Sequence, residues 1–167
     1  MIILVMGVSG SGKTTIGEAL AARLGWGFSD ADGFHSAENK ARMAQGIALT
    51  DEDRWPWLEA IHQAMKERQR EGRDHIFACS ALKRVYRELL RENVPEVCMV
   101  YLAGSAELLA ERLNHRRGHF FAPQLLADQL AVLEPPTADE ALIADIRQTP
   151  EQIVEHIVSA LDIERHS

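Results

Sequence analysis

A short apolar run, Ile2-Ile3-Leu4-Val5-Met6, breaks at Gly7-Val8-Ser9-Gly10-Ser11-Gly12-Lys13-Thr14. It is followed by Ile16, Ala19, Leu20 and Leu24 at helical spacing before Gly25. The octapeptide fits G-x-x-x-x-G-K-[ST], the phosphate-binding loop. This constrains the chain more than any other stretch, because it demands a strand, a glycine loop and a helix in that order. The spelling has a chemical reason. Triphosphate oxygens need many donors at close range, and Gly7, Gly10 and Gly12 let the backbone N–H groups turn inward without side-chain obstruction. The helix opening near Lys13 adds its positive dipole end. Lys13 is expected to reach the β- and γ-phosphates, with the Thr14 hydroxyl on Mg²⁺. Ser9, Ser11 and Thr15 fall in the same loop and first helical turn and join the expected nucleotide contacts. The bland alternative is a Gly/Ser surface loop that happens to precede a helix.

With 167 residues the chain suits one domain, and 46% hydrophobic against 26% charged residues is the balance of a soluble globular protein. A hydrophobic run of only five residues, without a basic region before it, does not read as a secretory signal. Cys79 and Cys98 sit in strand-like runs without metal spacing and are expected to be buried thiols of a cytoplasmic protein. A net charge of −7 argues against nucleic acid or an anionic membrane as a general partner. An anionic ligand must then be held by local cations, at Lys13, Lys83-Arg84 and Arg112 to Arg117.

A second short strand, Trp26 to Ser29, leads into Asp30-Ala31-Asp32-Gly33-Phe34-His35. Carboxylates at i and i+2 on an extended strand end share one side, and strand carboxyl ends are where α/β sheets bind ligands. Asp30 is placed near Mg²⁺ or its waters, and Asp32 near an acceptor hydroxyl; a polar turn closed by Gly33 is the other reading. Asp30 to Gly33 also spells D-x-x-G, and Asn39-Lys40 begins a guanine-type N-K-x-D. Position 42 is Arg, however, and the five residues between Gly33 and Asn39 cannot hold the strand and helix a GTPase needs.

Ser36 to Thr50 looks helical with a stop at Gly46, and carries Lys40 and Arg42. Thr50-Asp51-Glu52-Asp53-Arg54-Trp55-Pro56-Trp57 opens the next helix, with Pro56 in its first turn and Trp57, Leu58, Ile61 and Met65 inward. Arg54 lies where a substrate-facing arginine would project. Ile76 to Cys79 is a strand; Ser80 is expected to cap a helix with Leu82, Val85, Leu89 and Leu90 inward and Lys83 and Arg87 on one face. Those two cations are either a solvated stripe or a contact to substrate. Val97 to Leu102 reads as an interior parallel strand, and Ser105 caps a helix with Leu108, Leu109 and Leu113 inward. Its basic end, Arg112 to Phe121, either complements a helix C-terminus or forms a Gly-hinged lid over phosphates. His115 and His119 are spaced i,i+4 but lack the further ligand a zinc site requires. Pro123 to Leu133 is a helix, Ala141 to Ile146 the last strand, and Thr149 to Gln152 a capping box opening a final helix. The loop Arg147 to Pro150 is a candidate adenine neighbour.

Five strands alternating with helices predict an α/β fold with a parallel sheet and ligands at the carboxyl edge. Physical reasoning reaches a Mg-nucleotide-dependent phosphoryl-transfer enzyme acting on something small. Resemblance goes further. The phosphate loop, Asp30-x-Asp32-x-x-His35, Met43-x-x-Gly46-x-x-Leu49-x-Asp51-x-Asp53-Arg54-x-x-Trp57-Leu58, Cys79-Ser80-Ala81-Leu82-Lys83-x-x-Tyr86-Arg87-x-x-Leu90-Arg91 and Gly118-His119-Phe120 together resemble the gluconokinase family. That family is a branch of the shikimate-kinase-like and nucleoside-monophosphate-kinase-like P-loop kinases.

The resemblance implies a three-layer P-loop fold with strand order 2-3-1-4-5. It implies a single domain over residues 1–167, with a substrate-binding insertion at about 33–72 and a lid at about 115–123. It implies ATP-dependent phosphorylation of D-gluconate at its 6-hydroxyl, with Mg²⁺, and a cytoplasmic homodimer. Lys13, Asp32 and Arg116 would be catalytic. Thr14 and Asp30 would serve the metal, and Arg112 and Arg116 the nucleotide. Asp32, His35, Arg42, Arg54, Lys83, Arg87 and His119 would face gluconate. Two rivals stay in view. One is a kinase of another small hydroxy acid such as shikimate, whose family shows a glycine triplet where this chain has Ser80-Ala81-Leu82-Lys83. The other is a non-catalytic ATP-binding module.

Overall fold

The structure, a computed structural model, describes residues 1–47, 49–114 and 123–161. It is a five-stranded, all-parallel sheet in the order β2-β3-β1-β4-β5, as the resemblance implied. The strands are β1 (Ile2–Met6), β2 (Gly27–Asp30), β3 (His75–Ala78), β4 (Val97–Ala103) and β5 (Leu142–Asp145). The helices are α1 (Lys13–Leu24), α2 (Ala37–Ala44), α3 (Asp51–Arg70), α4 (Arg84–Arg91), α5 (Ala106–Asn114), α6 (Pro123–Val132) and α7 (Pro150–Leu161). No helix among the described residues is long and apolar enough to cross a membrane.

β1 is central because every one of its side chains is apolar and fully buried. The two-residue period of a strand splits them between faces. Ile3 and Val5 pack with α1, α5, α6 and α7 through residues such as Ile16, Leu109, Leu126 and Ile157. Ile2, Leu4 and Met6 pack against α3 and α4 through Leu58, Ile61, Tyr86 and Leu90. Each such side chain contributes about 1.5–3 kcal/mol by leaving water, so the phosphate loop hangs from the best-buried strand. The register sets Asp30 beside Ala78, and Ala78 beside Val5. The carboxyl ends of β2, β3 and β1 therefore form one edge.

Helix ends follow local chemistry where a side chain closes them. Thr149 Oγ1 accepts from Gln152 N at 3.2 Å while Gln152 Oε1 accepts from Thr149 N at 2.9 Å, the expected capping box. Ser105 Oγ accepts from Leu108 N at 3.1 Å, as its cap role requires.

Three expectations are corrected. The helix after Ser36 ends at Ala44, just before the expected stop at Gly46, and Leu49 and Thr50 lie outside it. Pro56 lies beyond the first turn of α3, which starts at Asp51. Most consequential, Ser80 caps nothing: α4 begins at Arg84 behind Lys83. Cys79 to Lys83 is a non-helical connection with Ala81 at φ 46°, a left-handed conformation. Val85 is accordingly exposed, and Tyr86 and Arg87 turn inward in its place.

Candidate active site

The loop between β1 and α1 has Gly10 at φ 86° and Gly12 at φ 97°, conformations that strain any residue with a Cβ. A Cβ on Gly10 would also come within 3.0 Å of Leu113. At Gly7 the obstruction would be Ser11 Oγ, 2.6 Å from a Cβ. Ser11 thus turns its buried hydroxyl against Gly7, leaving its backbone as its means of touching a ligand. Lys13 Nζ donates to Val8 O at 3.2 Å, which folds the ammonium over the loop. Beside the loop, a cleft of about 260 Å³ is lined by Gly12, Thr15, Arg112, Gln148 and Pro150 among others. Arg112 donates to Ile146 O, which fixes its guanidinium at the cleft edge.

Thr14 Oγ1 donates to Asp30 Oδ2 at 2.8 Å, and Asp30 Oδ1 accepts from Asp32 N at 2.9 Å. Asp30 thereby caps a short 3-10 turn, Ala31–Phe34, and holds Asp32 one step beyond the loop. With its proton committed to Asp30, the Thr14 oxygen keeps lone pairs for a cation. That oxygen pair suits a hard ion such as Mg²⁺, which keeps waters and substrate phosphates as its other ligands. Among the described residues no group of three or more His, Cys, Asp or Glu could hold a metal by itself. The Asp32 side reaches solvent at the mouth of the site. Its carboxyl is nevertheless held above the usual carboxylate range, by crowding from the protein and then by Asp30, with Lys13 pulling the other way.

His35 is buried and stacks on Trp57, ring centroids 4.2 Å apart, and Trp57 Nε1 donates to Ala31 O at 2.7 Å. Burial, then Arg54 and Lys40, push the His35 pKa down to about 4, so it is neutral at pH 7. It braces the turn that carries Asp32.

Arg54 and Lys83 do come together, and they bring two residues that the sequence reading left out of the site. Lys83 Nζ donates to both Asp51 oxygens, at 2.9 and 3.1 Å, and the Tyr86 hydroxyl donates to Asp51 Oδ1. Arg54 NH1 donates to Tyr86 Oη at 3.1 Å. The hydrogen bonds from Tyr86 and then Lys83 hold the Asp51 carboxyl below its ordinary range. Two cations and a phenol thus converge on one carboxylate at the start of α3. Asp51 reads in the sequence as an acid favouring a helix N-terminus, and Tyr86 only as one position of the family motif, outside the expected inward face. The 32 and 35 residues that separate Asp51 from its partners hide the cluster.

Two candidates sit elsewhere. Arg42 bridges Asp53 and Glu38, tying α2 to the start of α3. Arg87 is 1% exposed, and its donors go to Ala81 O, Leu82 O, Glu134 O and Glu140. That guanidinium is a buried clasp bonded to protein acceptors, and not a solvated stripe. Arg116, His119 and the zinc pattern at His115 lie outside the described residues, as does the expected lid apart from Pro123. Cys79 is buried, and its thiol is pushed up to about 12 by that burial.

Comparison with known proteins gives the chain's relatives. The sequence profile of the shikimate kinase family matches residues 9–162. A probable gluconokinase of Dictyostelium discoideum is 48% identical, the match covering 96% of this chain and 86% of that protein. Among solved structures, a sugar kinase from Janibacter sp. superposes with a TM-score of 0.91 at 50% identity, covering 97% of this chain and 94% of that one. A gluconokinase from Sinorhizobium meliloti gives 0.88 at 44% identity, covering 96% and 90%.

Proposed function

We propose that this chain, which belongs to the gluconokinase family within the shikimate-kinase-like P-loop kinases, transfers the γ-phosphoryl group of ATP to the 6-hydroxyl of D-gluconate, giving 6-phosphogluconate and ADP. Membership of that family makes it a gluconate-phosphorylating enzyme with a nucleotide site. The observation that supports the assignment of roles is the hydrogen-bonded link from Thr14 through Asp30 to the Asp32 backbone, which ties the phosphate loop to the turn after β2.

The division of labour follows from chemistry. Phosphoryl transfer asks the protein chiefly for positioning and preorganised charge. Backbone N–H groups of Gly7 to Lys13 and the Lys13 ammonium hold the β- and γ-phosphates, and Arg112 with Gln148 and Pro150 borders the base. Thr14, backed by Asp30, is the proposed protein ligand of Mg²⁺, which when bound neutralises phosphate charge. Asp32, with a raised carboxyl pKa, orients the acceptor hydroxyl and takes its proton. Lys83 and Arg54 meet the sugar-acid end, because paired cations suit a carboxylate. Asp51 and Tyr86 hold them in place. Arg116 is assigned to the transferring phosphoryl group and His119 to gluconate on resemblance alone. The insertion at about 33–72 serves the acceptor side, residues 115–123 form the lid, and the enzyme is a cytoplasmic homodimer.

An assay coupling ADP formation to a dehydrogenase, run with D-gluconate, other sugar acids and shikimate, tests the proposal. ADP release that depends on both gluconate and Mg²⁺ is expected. Nucleotide binding without turnover on any acceptor would leave an ATP-binding module, and turnover on shikimate alone would reassign the substrate.

A further inference from the structure

Gln129, on α6, grips the phosphate loop. Its Oε1 accepts from Ser9 N at 2.7 Å, and its Nε2 donates to Ser9 Oγ at 3.1 Å, across 120 residues of chain. The two contacts fix each other's chemistry. A backbone N–H can only donate, so the amide oxygen must face it, and the amide nitrogen then faces the hydroxyl. A donor already occupies the Ser9 oxygen, so the Ser9 proton points away from Gln129. Ser9 is partly exposed, so that proton has open space to point into.

The position of Ser9 gives this orientation a use. Lys13 Nζ rests on Val8 O, the residue just before Ser9. The lysine of such a loop serves the β- and γ-phosphates, so the Val8–Ser9 corner marks the end of the loop where the transferring group lies. The base-side cleft, by contrast, is lined by Gly10, Ser11, Gly12 and Thr15 and not by Ser9.

We propose that Gln129 is a positioning residue for phosphoryl transfer: its amide holds the Ser9 corner and turns the Ser9 hydroxyl outward as a hydrogen-bond donor to the γ-phosphoryl oxygens of ATP. The proposal rests on the kinase reading above and adds a residue that acts through Ser9. A glutamate at the same place would accept from both Ser9 groups, turn the hydroxyl proton inward and set a negative charge beside phosphate. Gln129→Glu is therefore expected to be worse than Gln129→Ala.

The test combines binding and kinetics on the full chain. Calorimetry with ADP and with a non-hydrolysable ATP analogue reads the γ-end alone. Gln129→Ala should weaken the analogue about tenfold while changing ADP affinity less than about twofold, because only the analogue carries a γ-phosphoryl group. In turnover, kcat should fall about tenfold for Gln129→Ala and further for Gln129→Glu, with the gluconate KM within about twofold. Ser9→Ala should cost a comparable factor, and Gln129→Ala added to it should cost little more, since both remove one device. Equal loss of ADP and analogue affinity would overturn the proposal by showing a general loop defect. So would unchanged analogue binding in Gln129→Ala, or effects of Ser9→Ala and Gln129→Ala that multiply. A wild-type chain without kinase activity would fail the functional reading, while the difference between the two nucleotides would still judge Gln129.

Discussion

Asp32 meets two opposed demands, and they fix what its replacement does. As the proposed base it must lose a proton to bind one from the acceptor, yet its surroundings favour the protonated form, through protein crowding and Asp30. The raised pKa has a definite sign for stability. Between the unfolded and the raised folded value the native state binds more protons, so stability falls as pH rises through that window and stays lower above it. Asp32→Asn removes the charge and its penalty. The variant should lose about 10²- to 10⁴-fold in kcat, the usual contribution of a positioned base, while its melting temperature at pH 7.5 stays level or rises slightly, solvent at the site mouth keeping the gain small. Thermal melts and initial rates on the same preparation check both halves. A large drop in melting temperature would make Asp32 a structural carboxylate, and near-normal turnover would remove it from the chemistry.

The element that departs most from local rules is α4 with the connection before it, and Arg87 is the reason it holds. One side chain satisfies the carbonyls of Ala81 and Leu82 before the helix and Glu134 beyond α6, and pairs with the mostly buried Glu140. Removing one partner of a buried ion pair typically costs about 3–5 kcal/mol, because the other charge and its acceptors stay buried. Arg87→Ala should lose that much in urea unfolding, with Arg87→Lys recovering only part, since an ammonium cannot match the planar fork. The gluconate KM of whatever remains folded should be unchanged within about twofold. A destabilisation below about 1 kcal/mol, or a gluconate KM raised tenfold in a stable variant, would restore Arg87 to the substrate.

The same element shows where sequence reading stops. Capping at Thr149 and Ser105 is legible because donor and acceptor lie within three residues. Ser80 carries the same local signal and fails, because Ala81 turns left-handed and Leu82 O accepts from Glu134 N at 2.8 Å, a long-range bond that no local pattern contains. That shift of the helix start moves Lys83 off the helix and turns Arg87 into the interior.

At the scale of the molecule, the fold was readable because it is built from short-range units: apolar strands, a glycine loop and helices of the right period fix a parallel α/β sheet almost by themselves. Lys13, Thr14, Asp30 and Asp32 stand out as candidates for the same local reason: Lys13 and Thr14 open the helix behind the glycine loop, Asp30 ends β2 and Asp32 follows two residues on. The contacts of Asp51 with Tyr86 and of Gln129 with Ser9 are not legible in this way, because they exist only after distant segments meet. The braced turn beneath Asp32 also affects global stability, through His35. Its folded pKa of about 4 lies below the ordinary value of 6.5, so the unfolded chain binds the extra proton between those limits. Stability due to His35 is therefore complete above about pH 6.5 and is lost as pH falls towards 4. His75, also lowered by burial and then by Arg68, acts in the same direction. Asp32 acts in the opposite sense, gaining its proton in the native state as pH falls, so a single profile mixes the signs and a variant must separate them. His35→Phe keeps a ring on Trp57 and removes the titration. Melting temperatures measured from pH 7.5 to 4.5 should fall less steeply in that variant than in the parent, the two curves converging towards the acid end. Parallel curves would mean that His35 takes up its proton without leaving the Trp57 stack, and that the turn carrying Asp32 tolerates a charge beside Arg54.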